Sequence, residues 1–340
     1  MEKKCTHCHK CQETCLFLKK YKIDIGDTER LKELAYHCFL CGKCTEVCPE
    51  HIDGREVILN IRRDQVTGNG GKLKEKGYQM LVQEKRNYIF QNYSGAARSV
   101  LFPGCNFPSY FPETTRYLAD LLGETAGIGM VFDCCGKPIA ELGLAEDEKR
   151  CIEQMEKRMT EQGIEELIMV CPNCYAFLKP KLTSVRIVTI YEKLTELGLG
   201  NKVDGKLTIF PPCPDRASGE ILDQIRPFLS EEPELITGVQ CCGLGGCAGG
   251  KESDLAEEMG RQIQRRNEDI CKKLSEAGME GGDTICTYCA SCSGSLARKG
   301  ITDTEHLLLK ILGRTEMPDA SRSLVNRMKT KYWKGKKYGR

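Results

Sequence analysis

The apolar positions of this chain keep two different rhythms. Between residues 53 and 98 they recur at helical spacing, in VILNI and again in YQMLVQEKRNYIF, with the turn-rich VTGNGGK between them. From Ser99 short apolar runs alternate with amphipathic stretches: SVLFPGC, PETTRYLADLLGE, GMVFDCCG, a long helix around 145–162, then ELIMVCPNC, with RIVTI and a short helix closing the half. A second half follows the same plan through KLTIFPPC, ASGEILDQIRPFL, TGVQCCGLGG, a helix across 252–276 and DTICTYCASC, closing on TEHLLLKILG. The first rhythm predicts a helical region, the second an α/β region of short strands.

The two halves are copies. Cys105 and Cys213 lie 108 positions apart, Cys134 and Cys241 107, and Cys171 and Cys286 115. A near-constant offset across strand–Cys, strand–Cys–Cys–Gly and strand–Cys-x2-Cys means one α/β unit used twice. In each copy the cysteines fall at the carboxyl ends of predicted strands, where an open α/β sheet presents its ligands.

Composition sharpens this picture at one point. The 340 residues predict two or three domains, and a formal net charge of +2 gives no reason to expect nucleic acid. No apolar run nears the ~18 residues that span a bilayer. The opening MEKKCTHCHK has no apolar segment, so no secretory signal is expected, and the chain is placed in a reducing cytoplasm. There, 22 cysteines point to metal rather than to disulfides.

Eighteen of the cysteines fall into four groups. Cys5, Cys8, Cys11 and Cys15 form C-x2-C-x2-C-x3-C, and Cys38, Cys41, Cys44 and Cys48 repeat it before Pro49. This is the bacterial ferredoxin run, whose fourth cysteine ligates the other cluster. One [4Fe-4S] cubane is therefore expected on Cys5, Cys8, Cys11 and Cys48, the other on Cys38, Cys41, Cys44 and Cys15. Zinc accepts thiolates too, but a closed four-ligand site does not need the duplicated pattern. Leu16 stands where proline usually follows the first run.

The other two groups hold five cysteines each: Cys105, Cys134, Cys135, Cys171 and Cys174, then Cys213, Cys241, Cys242, Cys286 and Cys289. A simple cubane uses four thiolates, so one cysteine is spare or the cluster is of another kind. Gly136 and Gly243 after each Cys-Cys pair let the backbone turn close to a cluster.

Two C-x~30-C-C-G-x~35–45-C-x2-C motifs behind a two-cluster segment resemble the CCG-domain iron–sulfur oxidoreductases, most closely the catalytic subunits of heterodisulfide reductase (B and D types). The resemblance covers residues 1–313. It implies an α+α/β chain: a mostly helical, bacterial-ferredoxin-like two-cluster domain over 1–98, then two tandem pseudo-symmetric α/β CCG domains, 99–205 and 206–340, the latter ending in a basic tail, KTKYWKGKKYGR. It also implies that the ten cysteines of the CCG motifs are catalytic, each five holding a noncubane [4Fe-4S] cluster, with a disulfide cleaved between the two. Before Cys213 stand Phe210, Pro211 and Pro212, where relatives often carry a His-Asp-Pro-like run.

Three functional expectations follow. In the first, electrons pass through the cubanes to the CCG sites, which reduce a disulfide or similar two-electron acceptor; in the second, the chain relays electrons from a flavoprotein dehydrogenase of 2-hydroxy-acid or glycerol-3-phosphate type to a quinone or other carrier. Both require a flavin-containing partner subunit, through which the chain could lie at a membrane periphery, and exposed clusters suit an anaerobic cytoplasm. A scaffold whose clusters only fix the fold is the third expectation. With about two negative charges added per cluster, the holoprotein is expected to be acidic.

Several residues keep two readings. Cys247 and Cys292 lie near the second motif as extra ligands, redox thiols or small buried apolar groups, and Cys151 and Cys271 read as helix packing residues. His7 and His9 either tune a cluster through hydrogen bonds or are simply exposed, and Lys137, Asp215 and Tyr288 either deliver protons or serve ordinary surface roles. The glycine-rich 243–250 lacks the features of a phosphate loop, and no flavin or nicotinamide motif is evident.

Overall fold

The computed structural model describes residues 5–279 and 281–334, so residues 335–340 of the basic tail lie outside the described residues. Two compact units share the chain. One comprises Met1–Arg86, Gly136–Arg150 and Gly238–Ile263, the other Asn87–Cys135, Cys151–Thr237 and Gln264–Arg340.

Every regular element between residues 5 and 91 is helical. The longest of these helices, Gly54–Thr67, starts where the Asp53 carboxylate accepts the N–H groups of Arg55 and Glu56, and it buries Val57, Ile58, Ile61 and Arg62 on one face. Arg62 is wholly buried and pins three segments of the unit. Its guanidinium donates to the carbonyls of Ala35, Cys38, Glu141 and Gly246, over the Tyr36 ring at 4.8 Å. Glu252, equally buried, takes Lys20 Nζ at 2.7 Å, Tyr21 Oη at 2.7 Å and His37 Nδ1 at 2.6 Å. These two residues fasten 238–263 to the N-terminal helices.

The second unit holds both sheets. Strands β1 (Asn92–Gly95), β2 (Ser99–Phe102), β3 (Gly129–Phe132), β4 (Glu166–Met169) and β5 (Arg186–Thr189) form the first, in the order β1-β3-β2-β4-β5. Strands β6 (Lys206–Ile209), β7 (Glu234–Leu235), β8 (Gly281–Thr287) and β9 (Thr304–His306) form the second, in the order β7-β6-β8-β9. Apart from β1, which runs antiparallel to β3, every pairing is parallel. The order β3-β2-β4-β5 recurs as β7-β6-β8-β9, so the duplication read from cysteine offsets is a duplication of topology. Both sheets contribute to one core, through Leu101, Ile168 and Ile209 among others.

Two expectations fail locally. The helical reading of 53–98 stops short, because helix Gln79–Arg86 gives way to β1. There Gly95 approaches β3 so closely that a Cβ would stand 2.8 Å from the Met130 carbonyl oxygen. The run TGVQ is not a strand: β7 ends at Leu235, and Gly238, at φ +79°, turns the chain away.

Candidate metal centres

Cys5, Cys8, Cys11 and Cys48 line one cavity with Asp24 and Ile25. The short helix Lys10–Thr14 carries Cys11, and Gly26 leaves room beside the first thiol: a Cβ there would lie 2.6 Å from Cys5 Sγ. Asp24 is buried next to this group. It accepts a hydrogen bond from the Cys11 thiol at 3.7 Å and contacts Nδ1 of His7 at 3.3 Å and of His9 at 3.0 Å. His7 and His9 are half-exposed, at left-handed backbone angles of 49° and 61°.

The other four converge separately. Gln240 Nε2 reaches Cys15 Sγ at 3.5 Å and Cys41 Sγ at 3.6 Å, while Cys15, Cys38 and Cys41 all act electrostatically on Cys44. A Cβ at Gly54 would fall 2.5 Å from Cys44 Sγ. Burial pushes the thiols of Cys11 and Cys38 up to about 11, and those of Cys15 and Cys44 well above the ordinary range. Such sites keep bare thiols protonated, whereas a bound cation displaces the protons and offsets the buried charge. The Arg62 guanidinium, bonded only to carbonyls among the described residues and lying beside Cys38, suits a net anionic centre there. Donor set, glycine clearances and charge all fit iron–sulfur clusters.

Each cysteine of the first five-cysteine motif lies in the sheet-bearing unit. Cys105 follows β2, Cys134 and Cys135 follow β3, and Cys171 follows β4, all at carboxyl ends. Cys134 packs with Cys105, Tyr88 and Phe132; Cys174 hydrogen-bonds to Cys135 and Cys171, which holds its thiol proton tightly. Gly104, at φ +69°, passes so near that a Cβ would meet Cys174 Sγ at 2.9 Å.

In the second motif, Cys213, Cys286 and Cys289 belong to that same unit, and Cys241 and Cys242 to the helical one. Tyr288 Oη donates to Asp215 Oδ2 at 2.7 Å, tying the loop after Cys213 to the Cys286–Cys289 turn. Asp215 also accepts the N–H groups of Ile221 and Leu222. Both side chains are therefore buried structural ties, not surface groups. Lys137 is paired with Glu141 within the helical unit. Cys241 Sγ lies 3.3 Å from Met259 Sδ and accepts the Gly243 N–H at 3.4 Å.

The two motifs meet within the sheet-bearing unit. Cys171 and Cys292 donate hydrogen bonds to Cys289, which draws its pKa well below the ordinary thiol value. Asn173 adds an amide N–H at 3.6 Å. Cys292 is thus part of the second site's surroundings, while Cys247, pushed up to about 12 by burial, sits in a short turn whose carbonyl accepts the Tyr78 hydroxyl. Cys151 and Cys271 lie half-buried on the two long helices. A cleft of about 270 Å³ opens between the helix after Cys171 and the loop after Cys213, lined by Tyr175, Lys179, Asp215, Ser218 and Glu220.

Three residues escaped sequence reasoning: Arg62, Gln240 and His306. His306 ends β9, and its Nδ1 accepts the Leu308 N–H at 3.3 Å, which leaves the proton of the neutral ring on Nε2. That buried Nε2 has no partner among the described residues, and burial lowers the ring's pKa to about 4. The ring packs edge-on against Phe107 and Phe111. Its only sequence signal was being a histidine inside an apolar run, TEHLLL.

A family model described as the CCG cysteine-rich domain matches residues 99–179 and again 207–297, together just over half of the chain. An uncharacterised iron–sulfur protein of Methanococcus maripaludis is 24% identical across 81% of this chain and 59% of its own length. One subunit of the fumarate reductase (CoM/CoB) of Methanothermobacter marburgensis is 23% identical across 94% of this chain and 72% of its own. EtfAB:quinone oxidoreductase of Syntrophomonas wolfei is 23% identical across 76% and 42%. The chain therefore spans less than two thirds of the first and third of these relatives. Among the described residues, no helix is long and apolar enough to cross a membrane.

Proposed function

The chain belongs to the family of the cysteine-rich CCG domain, and on that premise we propose that it is an iron–sulfur oxidoreductase subunit reducing a disulfide or similar two-electron acceptor. In this reading residues 1–98 carry two [4Fe-4S] cubanes, one on Cys5, Cys8, Cys11 and Cys48, the other on Cys15, Cys38, Cys41 and Cys44. Residues 99–205 and 206–340 carry a further cluster each, on the two five-cysteine sets. Bound there, the clusters supply one-electron carriers whose potentials the surrounding hydrogen bonds and charges adjust.

One observation carries the proposal: Asn173, between Cys171 and Cys174 of one motif, donates its amide N–H to Cys289 Sγ of the other at 3.6 Å. Cleaving a disulfide takes two electrons and yields two thiols after two protonations. Two sites that touch are suited to receive the two sulfurs of one substrate. A cleft lined by Tyr175, Lys179 and Glu220 opens between the helix after Cys171 and the loop after Cys213. Tyr288 and Asp215 join the loops of Cys213 and Cys289, the part of the second set that lies in the sheet-bearing unit.

A second reading is favoured by the likeness to EtfAB:quinone oxidoreductase. There the chain relays electrons from a flavin-bearing partner to a quinone, and no sulfur compound binds the CCG sites. Iron and sulfide analysis of anaerobically purified protein, with EPR during stepwise oxidation in the presence of thiols, separates the two. About sixteen irons with a thiol-dependent signal is the expected result. About eight irons, or sixteen with spectra indifferent to thiols, overturns disulfide reduction and leaves the relay.

A further inference from the structure

Gln240 stands immediately before Cys241, yet its side chain serves a different centre. Its Oε1 accepts the Leu16 N–H at 2.8 Å, which orients the amide, and its Nε2 donates to Cys15 Sγ at 3.5 Å and Cys41 Sγ at 3.6 Å. Cys15 and Cys41 come from different cysteine runs, so one amide group bridges the two halves of a four-sulfur site. Only 3% of Gln240 is exposed, so water does not compete for these hydrogen bonds. All of these residues lie in the helical unit.

We infer that Gln240 is a positioning residue that raises the reduction potential of the centre on Cys15, Cys38, Cys41 and Cys44 and joins that centre, through a single peptide, to Cys241 of the second CCG motif. The inference rests on the reading that these cysteines hold a cluster. Adding an electron makes the sulfurs more negative, and an N–H donor stabilises that state more than the oxidised one. No bond forms or breaks: the centre gains one electron from an external one-electron reductant. The other four-cysteine group faces the Asp24 carboxylate instead, which acts with the opposite sign.

The test uses the full chain, purified without oxygen, as wild type, Gln240→Leu and Gln240→Met. Iron is counted first, and a dithionite titration followed by EPR then gives the midpoint of each N-terminal centre. In the variants one midpoint should fall by about tenfold in reduction equilibrium, 59 mV for one electron, while the other stays in place. Wild-type protein without iron overturns this inference together with the cluster reading. A full complement of iron with no midpoint lowered, or with both lowered equally, overturns the inference alone. Loss of about four irons from both variants does so as well, since Gln240 would then be building the site rather than adjusting it.

Discussion

The two CCG copies share a strand order but not the means of delivering their cysteines. In the first, all five lie in the sheet-bearing unit, and the Cys-Cys pair follows β3 directly. In the second, the equivalent strand is two residues long, and Cys241 and Cys242 reside in the helical unit, among residues that Glu252 and Arg62 fasten. Duplication thus preserved the hydrogen-bonded frame while the loops diverged. The loop before the first cysteine of each copy shows why. Phe-Pro-Gly precedes Cys105 and Phe-Pro-Pro precedes Cys213, and the φ of +69° at Gly104 is closed to proline.

The most severe break of the comparison removes a thiol from each copy in turn. Cys134→Ser and Cys241→Ser should each lose about four irons, measured against wild type after anaerobic purification. Loss of about eight from either variant would mean that the copies assemble as a single centre.

Substituting the residue before the first cysteine of each copy should have unequal effects. Gly104→Ala places a Cβ 2.9 Å from Cys174 Sγ at a strained φ, so it should cost about 1–3 kcal/mol and lower iron occupancy in the first copy. Pro212→Gly adds freedom mainly to the unfolded chain and should cost about 0.4–1 kcal/mol with iron unchanged. Denaturant unfolding and metal analysis of both variants check this, and equal losses would show that the two loops are interchangeable.

Much of this frame was legible because cysteine spacing and strand period are local signals. The offsets near 108 exposed the copies, and the duplicated x2-x2-x3 runs marked eight convergent thiols. What the sequence hid depends on partners remote along the chain. Gln240 bonds to Leu16 and Cys15 across more than two hundred residues, and Arg62 reaches Gly246 across 184. Neither contact leaves a periodic trace. β1 was masked by a helical pattern that continues past Arg86, and β7 by an apolar run that Gly238 ends.

The cap at the end of the fourth parallel strand offers a finer comparison. Thr189 and His306 occupy matching places: each ends its strand and accepts a backbone N–H from the helix that follows. Only the histidine fills a pocket between aromatic rings. His306→Thr should therefore cost about 2–3 kcal/mol, a loss of buried volume, against about 1 kcal/mol for Thr189→Ala, a lost cap. Urea midpoints of the two variants decide it, and similar values would make His306 no more than a cap.

A small, pH-dependent effect is expected at the central strands. β4 opens on Glu166, which accepts from Ser99 Oγ at 2.6 Å and pairs with Lys193 at 2.9 Å and Arg186 at 3.1 Å, whereas the sequence of β8 opens on Gly281. Burial alone would raise the Glu166 pKa, but the Ser99 hydrogen bond and the Lys193 and Arg186 charges outweigh it and leave it lowered. A carboxylate whose pKa is lower folded than unfolded adds stability that is complete above the unfolded value, roughly 4.3, and fades as the pH falls through the folded one. Glu166→Gln should then cost about 1 kcal/mol at pH 7, and the gap to wild type should close below about pH 4. Urea unfolding of both proteins at the two pH values tests this. A gap that persists in acid would assign the loss to packing at the start of β4, and the two central strands would then differ in shape rather than in charge.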